Sequence, residues 1–190
     1  LKLSKVVWTM NKGYARAFFE IAIEDNVLNE CKESFDAFVT ILKEEKEFSL
    51  VLNSPKIKLQ EKKDLIKNTF KNCSEDFILF LFVILDNDRI ANIEVIYEEF
   101  LHLFNEANKI KVALVISEKP LTKEEEEKLF DSLSKYYAGY KVVITNKVNP
   151  SLLGGYHILV NGVSIDLSVK RKINDLEYHV LTTKPSKEVF

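Results

Sequence analysis

The spacing of apolar residues changes once along this chain of 190 residues, at Ile110. From Tyr14 to about Asn108, apolar side chains recur at intervals of three and four and glycine is absent, which is typical of successive amphipathic helices. Beyond Ile110, short β-branched segments alternate with turn residues, a pattern that favours strands. The sequence therefore predicts an α+β protein with an N-terminal all-α bundle and a small C-terminal α+β domain.

Turn and cap residues predict several helix ends in the N-terminal half. Asn53-Ser54-Pro55 stops one helix, because proline disfavours helical geometry in the residue before it. Ser74, followed by two acidic residues, is a suitable N-cap for the helix that follows it, which ends near Asp86-Asn87-Asp88. The last helix, from Ile90 to Asn108, has an apolar stripe that consists of Ile93, Ile96, Tyr97, Phe100, Leu103 and Phe104.

The C-terminal half is predicted to run strand, helix, strand, strand, strand, helix. Thr122 with Glu125 forms a capping box, which starts the first of these helices. Asn161-Gly162 lies between two strand-like segments and predicts a type I′ hairpin, since both central residues of that turn need a positive φ. The inner face of the first helix is predicted to hold Leu129, Phe130, Leu133 and Tyr137, and the final helix is predicted from Ser168 to about Tyr178.

Composition and charge exclude several classes of protein. A formal charge of −2 and a pI near 6.0 give no basic stripe for a nucleic acid backbone. The longest apolar run, Phe77 to Leu85, is far shorter than the roughly 20 residues of a transmembrane helix. Cys31 and Cys73 are far apart and lack metal-ligand spacing, as in a reduced, cytosolic protein. Residues 1–9 precede Met10 and are interpreted as a leader or an added segment, outside the fold argument.

Candidate catalytic and metal-binding groups are scattered, and no cofactor site is expected. His102, His157 and His179 fall on different predicted elements. Gly154-Gly155 precedes a strand and lacks the Gly-Lys-Ser/Thr of a phosphate loop, so a tight backbone turn is favoured. The acidic run from Glu124 to Glu127 suits the positive end of a helix, as solvated surface and not as a metal site. Asp166 lies at a strand end, where a structural role is favoured over a catalytic one.

The helical half has more apolar surface than one packed face accounts for. The run Phe77 to Leu85 covers every side of its helix, and Phe19 and Ile23 lie off the stripe of the first helix. Either the bundle surrounds these helices completely, or a groove between them accepts an amphipathic helix from another protein.

Several ordered motifs resemble the ATP synthase delta subunit family, called oligomycin-sensitivity-conferring protein in mitochondria. The opening residues Tyr14 to Ala22 are similar to the family's Tyr-Ala-x-Ala-Leu-Phe-x-x-Ala start. The stretch from Val148 to Tyr156 is similar to its Asp-Pro-Ser-Leu-Ile-Gly-Gly-Val signature, and Ile165 to Arg171 resembles Ile-Asp-Gly-Ser-Val-Arg. Weaker resemblances occur at Ser54-Pro55-Lys56-Ile57 with Glu61-Lys62-Lys63, at Leu85 to Ile90, and at Lys119-Pro120-Leu121-Thr122. The residues shared with the signature are Gly154, Gly155, Asn161, Gly162, Asp166 and Ser168.

Four residues depart from the family pattern. Asn149 replaces an aspartate, Tyr156 a small aliphatic residue, Leu167 a glycine and Lys170 an arginine. Leu167 matters physically, because leucine does not readily adopt a positive φ. We therefore expect the backbone turn near this residue to differ from the family's.

The resemblance implies a non-catalytic stator connector of F-type ATP synthase. The N-terminal domain, residues 10–108, would be a six-helix bundle whose first and fifth helices receive the N-terminal helix of the alpha subunit. The C-terminal domain, residues 109–190, would meet the b subunits of the peripheral stalk. The protein would be peripheral, at the cytoplasmic face of a bacterial membrane, and would bind no nucleic acid. The residues assigned to the alpha-binding groove or its support are Tyr14, Ala17, Phe18, Ile21, Ile78, Phe82 and Leu85.

Two other functions fit parts of the sequence. A small hydrolase or transferase would use Asp166 or His157 in a cleft, and would show a perturbed pKa there. An unrelated helical adaptor would bind a helix other than that of the alpha subunit.

Overall fold

The computed structural model describes residues 2–71, 73–152, 154–169 and 171, and for residues 2–9 it describes the backbone alone. The chain divides into two compact units, Leu1–Phe104 and Asn105–Phe190. The first is helical and the second contains a sheet, so the predicted α+β class is confirmed. Along the chain, the boundary between the units falls after Phe104, inside the last helix of the bundle, whereas the sequence predicts it after residue 108.

The helices of the first unit follow one another with short connections. α1 begins at Lys2, well before the helical pattern that the sequence shows from Tyr14, so most of residues 1–9 continue this helix. A short 3-10 helix, Ile90–Asn92, precedes α6, Ile93–Ala107, whose last residues belong to the second unit. The helices are α1 Lys2–Glu24, α2 Leu28–Glu44, α3 Lys46–Asn53, α4 Leu59–Thr69, α5 Glu75–Asp86 and α6 Ile93–Ala107.

The predicted helix ends agree with the structure. α3 stops at Asn53, directly before Ser54-Pro55. The Ser74 hydroxyl accepts a hydrogen bond from the Phe77 N–H at 3.2 Å, which caps α5. α5 ends at Asp86, and Asp88 then adopts a φ of 54°, a left-handed conformation that ends the helical path.

Five phenylalanines from four helices form the centre of the first unit, and we call them the aromatic core. Phe18 of α1 stacks on Phe80 of α5, with 4.2 Å between ring centroids and 16° between planes. Phe35 of α2 contacts both Phe77 of α5 and Phe100 of α6, with centroids 5.2 and 5.5 Å apart. All five rings are buried. Aromatic pairs of this kind add about 0.5–1.5 kcal/mol each to the burial of their area, so the core fixes the positions of α1, α2, α5 and α6.

The second unit is a four-stranded sheet with one described helix on it. The strands are β1 Ile110–Ser117, β2 Lys141–Val148, β3 Gly155–Val160 and β4 Val163–Ser168, in the sheet order β2-β1-β3-β4. β1 and β2 are parallel and are joined by α7, Lys123–Tyr136, whereas the other neighbours are antiparallel. The predicted order of elements is confirmed up to β4. The predicted final helix lies largely outside the described residues.

The helix α7 packs on one face of the sheet through fewer residues than predicted. Leu133 is buried with Ala113, Val115, Val142, Ile158 and Val160. Leu129 and Tyr137 are half-buried, as expected for the inner face. Phe130 is 46% exposed, so its predicted place on the inner face was wrong. It lies one position from Leu129, about 100° around the helix, which turns it towards the edge of the sheet.

Backbone geometry explains the conspicuous glycines. Asn161 and Gly162 both have positive φ, 47° and 79°, and they connect paired residues Val160 and Val163, which confirms the predicted I′-type hairpin. Gly154 and Gly155 also have positive φ, which confirms the predicted tight turn into β3. Leu167, in contrast, is an ordinary strand residue opposite Tyr156, so this position needs no glycine here.

We expect Gly155→Ala to destabilise the second unit by about 2–4 kcal/mol, from steric overlap and a strained φ. A Cβ at this position would lie 2.4 Å from the Leu167 carbonyl oxygen, which belongs to the backbone and has little freedom to move. Gly139→Ala is the matched control, because Gly139 also has a positive φ, 89°, but has nothing within 4 Å of its Cβ position. Amide hydrogen exchange in β3 and β4 measures the effect, and equal losses in both variants would contradict it.

We expect the second unit to lose stability between about pH 4.5 and pH 2 as Glu125 takes up a proton. The Thr122 N–H and the Tyr156 hydroxyl hydrogen-bond to the Glu125 carboxylate, and they lower its pKa to about 2. A lowered folded-state pKa contributes stability above the unfolded-state pKa, and that contribution disappears as the pH falls through the folded value. Glu125→Gln should flatten this part of the urea-midpoint profile, whereas Glu127→Gln, at an exposed neighbouring residue, should leave its slope unchanged.

Candidate partner-binding site

An apolar cleft of about 260 Å³ runs between α1 and α5. Its lining comes from one face of each helix, because both sets of residues follow the i, i+3, i+4, i+7 spacing. α1 contributes Tyr14, Ala17, Phe18 and Ile21, and α5 contributes Asp76, Leu79, Phe80 and Val83. Two neighbouring and largely apolar helix faces with a hollow between them provide the kind of surface that an amphipathic helix occupies in helix-in-groove complexes.

The floor and the sides of this cleft differ in burial. Phe18 and Phe80, stacked on each other, are 2% and 8% exposed and form the floor. Ile21, Leu79 and Val83 form the sides and are 47%, 54% and 47% exposed. Large aliphatic side chains that remain about half exposed and lie together are uncommon on a monomer surface and indicate an interaction site.

The four α1 residues assigned from the sequence therefore lie together in the cleft, whereas the three α5 residues do not join them. Ile78 and Phe82 line a second depression of about 410 Å³, on the adjacent face of α5 next to α4. Phe82 is contacted there by the ammonium groups of Lys63 and Lys67, each 5.4 Å from its ring centroid. Leu85 is 6% exposed and packs in the core of the first unit.

The α5 residues that sequence reasoning missed are Asp76, Leu79, Phe80 and Val83. The sequence of α5 does not show which of its faces is turned towards α1, since the nine residues from Phe77 to Leu85 are all apolar. Asp76 was the only available signal. It is the last polar residue before the apolar run, and Leu79 and Val83 follow it at three and seven positions, on the same face.

In the second unit, the signature residues serve the backbone. A depression of about 300 Å³ includes Gly154, Gly155 and Tyr156, and within it the Tyr156 hydroxyl donates a hydrogen bond to the Glu125 carboxylate of the Thr122–Glu125 capping box. The Asp166 carboxylate accepts a hydrogen bond from the Ser168 N–H at 2.9 Å. Hydrogen bonds from the Ser168 hydroxyl and N–H lower the Asp166 pKa, which is opposite to the rise that a general acid requires.

His157 has a structural neighbour as well. Its Nε2 lies 2.7 Å from the Ser164 hydroxyl, across the hairpin. His102 is exposed on α6, and His179 lies outside the described residues. Within the part of the chain that the structure describes, no three His, Cys, Asp or Glu side chains are grouped so that they could hold a metal ion. Among the same residues, no helix is both long enough and apolar enough to span a membrane.

Comparison with known proteins connects this architecture to one family. The family model described as the ATP synthase delta (OSCP) subunit matches residues 10–180. The chain belongs to the ATP synthase delta (OSCP) subunit family. It is 34% identical to ATP synthase subunit delta of Geobacillus sp. (strain WCH70) over 90% of this chain and 96% of that protein. It is 33% identical to ATP synthase subunit delta of Bacillus subtilis (strain 168) over 88% and 93%.

A solved structure shows the same fold at low sequence identity. It is a cryo-EM structure of the Toxoplasma gondii mitochondrial ATP synthase hexamer, one chain of which matches with a TM-score of 0.76 and 18% identity. The match covers 92% of this chain and 98% of that one. As a member of the delta (OSCP) family, the chain is a non-catalytic subunit of ATP synthase, a membrane-associated complex for ATP synthesis and ion transport.

We expect the sides of the α1–α5 cleft to tolerate polar substitution in the free protein. Leu79→Gln should change the free energy of unfolding by no more than about 0.5 kcal/mol, because Leu79 is already about half in water. Phe18→Asp should prevent folding of the first unit, because it places an unpaired charge in the aromatic core. Urea unfolding followed by far-UV circular dichroism measures both, and a large loss for Leu79→Gln would show that this side chain belongs to the core.

Proposed function

We propose that this delta-family subunit is the stator connector that links the alpha/beta catalytic head to the b subunits of the peripheral stalk. In this role, it holds the head against the torque of the rotor, so that ion flow is coupled to ATP synthesis. The α1–α5 cleft receives the N-terminal helix of the alpha subunit, and the C-terminal unit meets the b subunits. The subunit lies at the cytoplasmic face of a bacterial membrane, held there through the complex.

One observation carries the head-binding part of the proposal: the exposed aliphatic sides of the cleft. Ile21, Leu79 and Val83 are each about half exposed and flank a floor of stacked aromatic rings. Burying the remaining surface of each would contribute on the order of 1 kcal/mol, before the loss of translational and rotational freedom is subtracted. A helix with its own i, i+3, i+4, i+7 stripe fits two such faces side by side.

The b-subunit part of the proposal is supported by exposed apolar groups in the second unit. Phe130 is 46% exposed and, with Val142 and Ile144 of the edge strand β2, borders a depression of about 340 Å³. On the opposite edge of the sheet, Val163 and Leu167 of β4 are 56% and 45% exposed. These edges supply apolar surface that is distinct from the α1–α5 cleft.

We expect Leu79→Asp and Val83→Asp each to weaken binding of the alpha-subunit N-terminal helix by about tenfold or more, since the carboxylate would be desolvated in the complex. Calorimetric titration of the full chain with a synthetic peptide of that helix, from the same organism, measures the affinity. Leu50→Asp is the matched control, because Leu50 is 70% exposed on α3 and does not line the cleft.

The possible outcomes separate the competing functions. One-to-one binding that Leu79→Asp weakens and Leu50→Asp does not would support the connector and the position of its cleft together. Equal binding by the wild type, Leu79→Asp and Leu50→Asp would contradict the cleft assignment. If the folded wild-type chain bound no alpha-subunit helix, the head-binding proposal would be wrong, and a helical adaptor for a different partner would become the better explanation.

A further inference from the structure

The two hollows beside α5 share one wall. Leu79 lines both the α1–α5 cleft and the depression between α4 and α5. A helix that lies in the cleft and covers Leu79 therefore reaches the border of the second depression with the flank of its apolar stripe. The charges at that border therefore indicate which side chains the flank of the bound helix should carry.

The border of the second depression is basic and its floor is apolar. Lys67, near the end of α4, and Lys71, in the following turn, line it together with Ile78, Leu79 and Phe82. Among the described residues of this lining, Glu75 is the one acidic residue, so their formal charges sum to one positive charge. No ion pair within 4.0 Å joins either lysine to a carboxylate of the described residues, whereas the nearby Lys63 pairs with Asp86 at 2.6 Å.

The fold itself explains only part of this arrangement. The helix dipole favours lysine at the C-terminal end of α4, and the Lys67 ammonium also lies against the Phe82 ring. Neither effect requires a hollow beside the ammonium groups with Leu79 in its wall. In contrast, Asp76 is the charged residue that lines the α1–α5 cleft, so the two sides of Leu79 differ in sign.

We propose that the helix which occupies the α1–α5 cleft carries carboxylates on the flank that faces α4, where they pair with Lys67 and Lys71. This inference rests on the proposed head-binding function and specifies the chemistry of its partner. The apolar stripe supplies most of the affinity. The lysine pair favours the rotation of the helix about its own axis that places those carboxylates beside Lys67 and Lys71.

The test is calorimetric titration of the full chain with the alpha-subunit N-terminal helix peptide, at roughly 0.02 M and 0.5 M salt, where screening differs strongly. The Lys67→Glu/Lys71→Glu variant should bind about three- to tenfold more weakly than wild type at low salt, and the difference should largely disappear at high salt. Lys46→Glu/Lys56→Glu is the matched control, because it makes the same change of charge at two exposed residues that line neither hollow.

A second peptide isolates the interaction itself. With its Asp and Glu residues changed to Asn and Gln, the peptide should lose affinity for the wild-type chain but lose less for the Lys67→Glu/Lys71→Glu variant. Equal losses for both proteins would overturn the proposed pairing.

The outcomes distinguish this inference from the function on which it rests. If Leu79→Asp abolished binding while the lysine variant bound as wild type does at low salt, the lysine pairing would be wrong and the cleft assignment would stand. If wild type failed to bind the peptide, both would be wrong. Self-association of the chain through this surface, detected by sedimentation as a dimer that Leu79→Asp dissociates, would also overturn the inference by replacing its occupant.

Discussion

The stacked contact between Phe18 and Phe80 is the interaction on which the arrangement of the first unit depends. It joins α1 to α5 at a ring separation of 4.2 Å and places both rings against Phe35, so that three helices meet at one point. Ile21, Leu79 and Val83 line the cleft together with the stacked rings and remain about half exposed. The same contact that closes the core therefore leaves a cleft above it. A smaller residue at either ring would deepen the hollow and loosen both helices at once.

This dual use of one contact explains why the sequence predicts the helices but not the whole cleft. Element ends are set locally, by a proline after Ser54, a hydroxyl at Ser74 and a capping box at Thr122, and each has the geometry that its residue type implies. The face that α5 presents to α1 is set by packing between helices that are distant in sequence. With apolar residues at every position from Phe77 to Leu85, rotation of α5 changes no local preference, so the sequence alone did not bring Leu79 and Val83 to the cleft.

In the second unit, in contrast to α5, local sequence motifs do predict the local structure. Its conspicuous residues, Gly154, Gly155 and Asn161-Gly162, can be interpreted from the sequence because they adopt backbone conformations with positive φ, which glycine and asparagine tolerate best. Gly155 is the strictest of them, as the Leu167 carbonyl lies where its Cβ would be. Phe130 shows the limit of the same reasoning. Helical periodicity predicts an inward position beside Leu129, yet α7 buries only a narrow stripe against the sheet, and this ring remains about half exposed.

In the proposed role, the subunit would have to bind its partner firmly and also remain stable while free, and the cleft residues would affect both properties. Half-exposed Ile21, Leu79 and Val83 retain apolar area for a partner, but the same area promotes association of free chains. Charged residues on both sides of Leu79, Asp76 in one hollow and Lys67 and Lys71 in the other, oppose the approach of apolar surfaces that lack matching charges. In the proposed complex, the apolar side chains would supply the affinity and the charged side chains would supply the selectivity. The apolar and charged side chains keep these relative positions only if the floor of the cleft is rigid, and that rigidity depends on the stacked rings of Phe18 and Phe80.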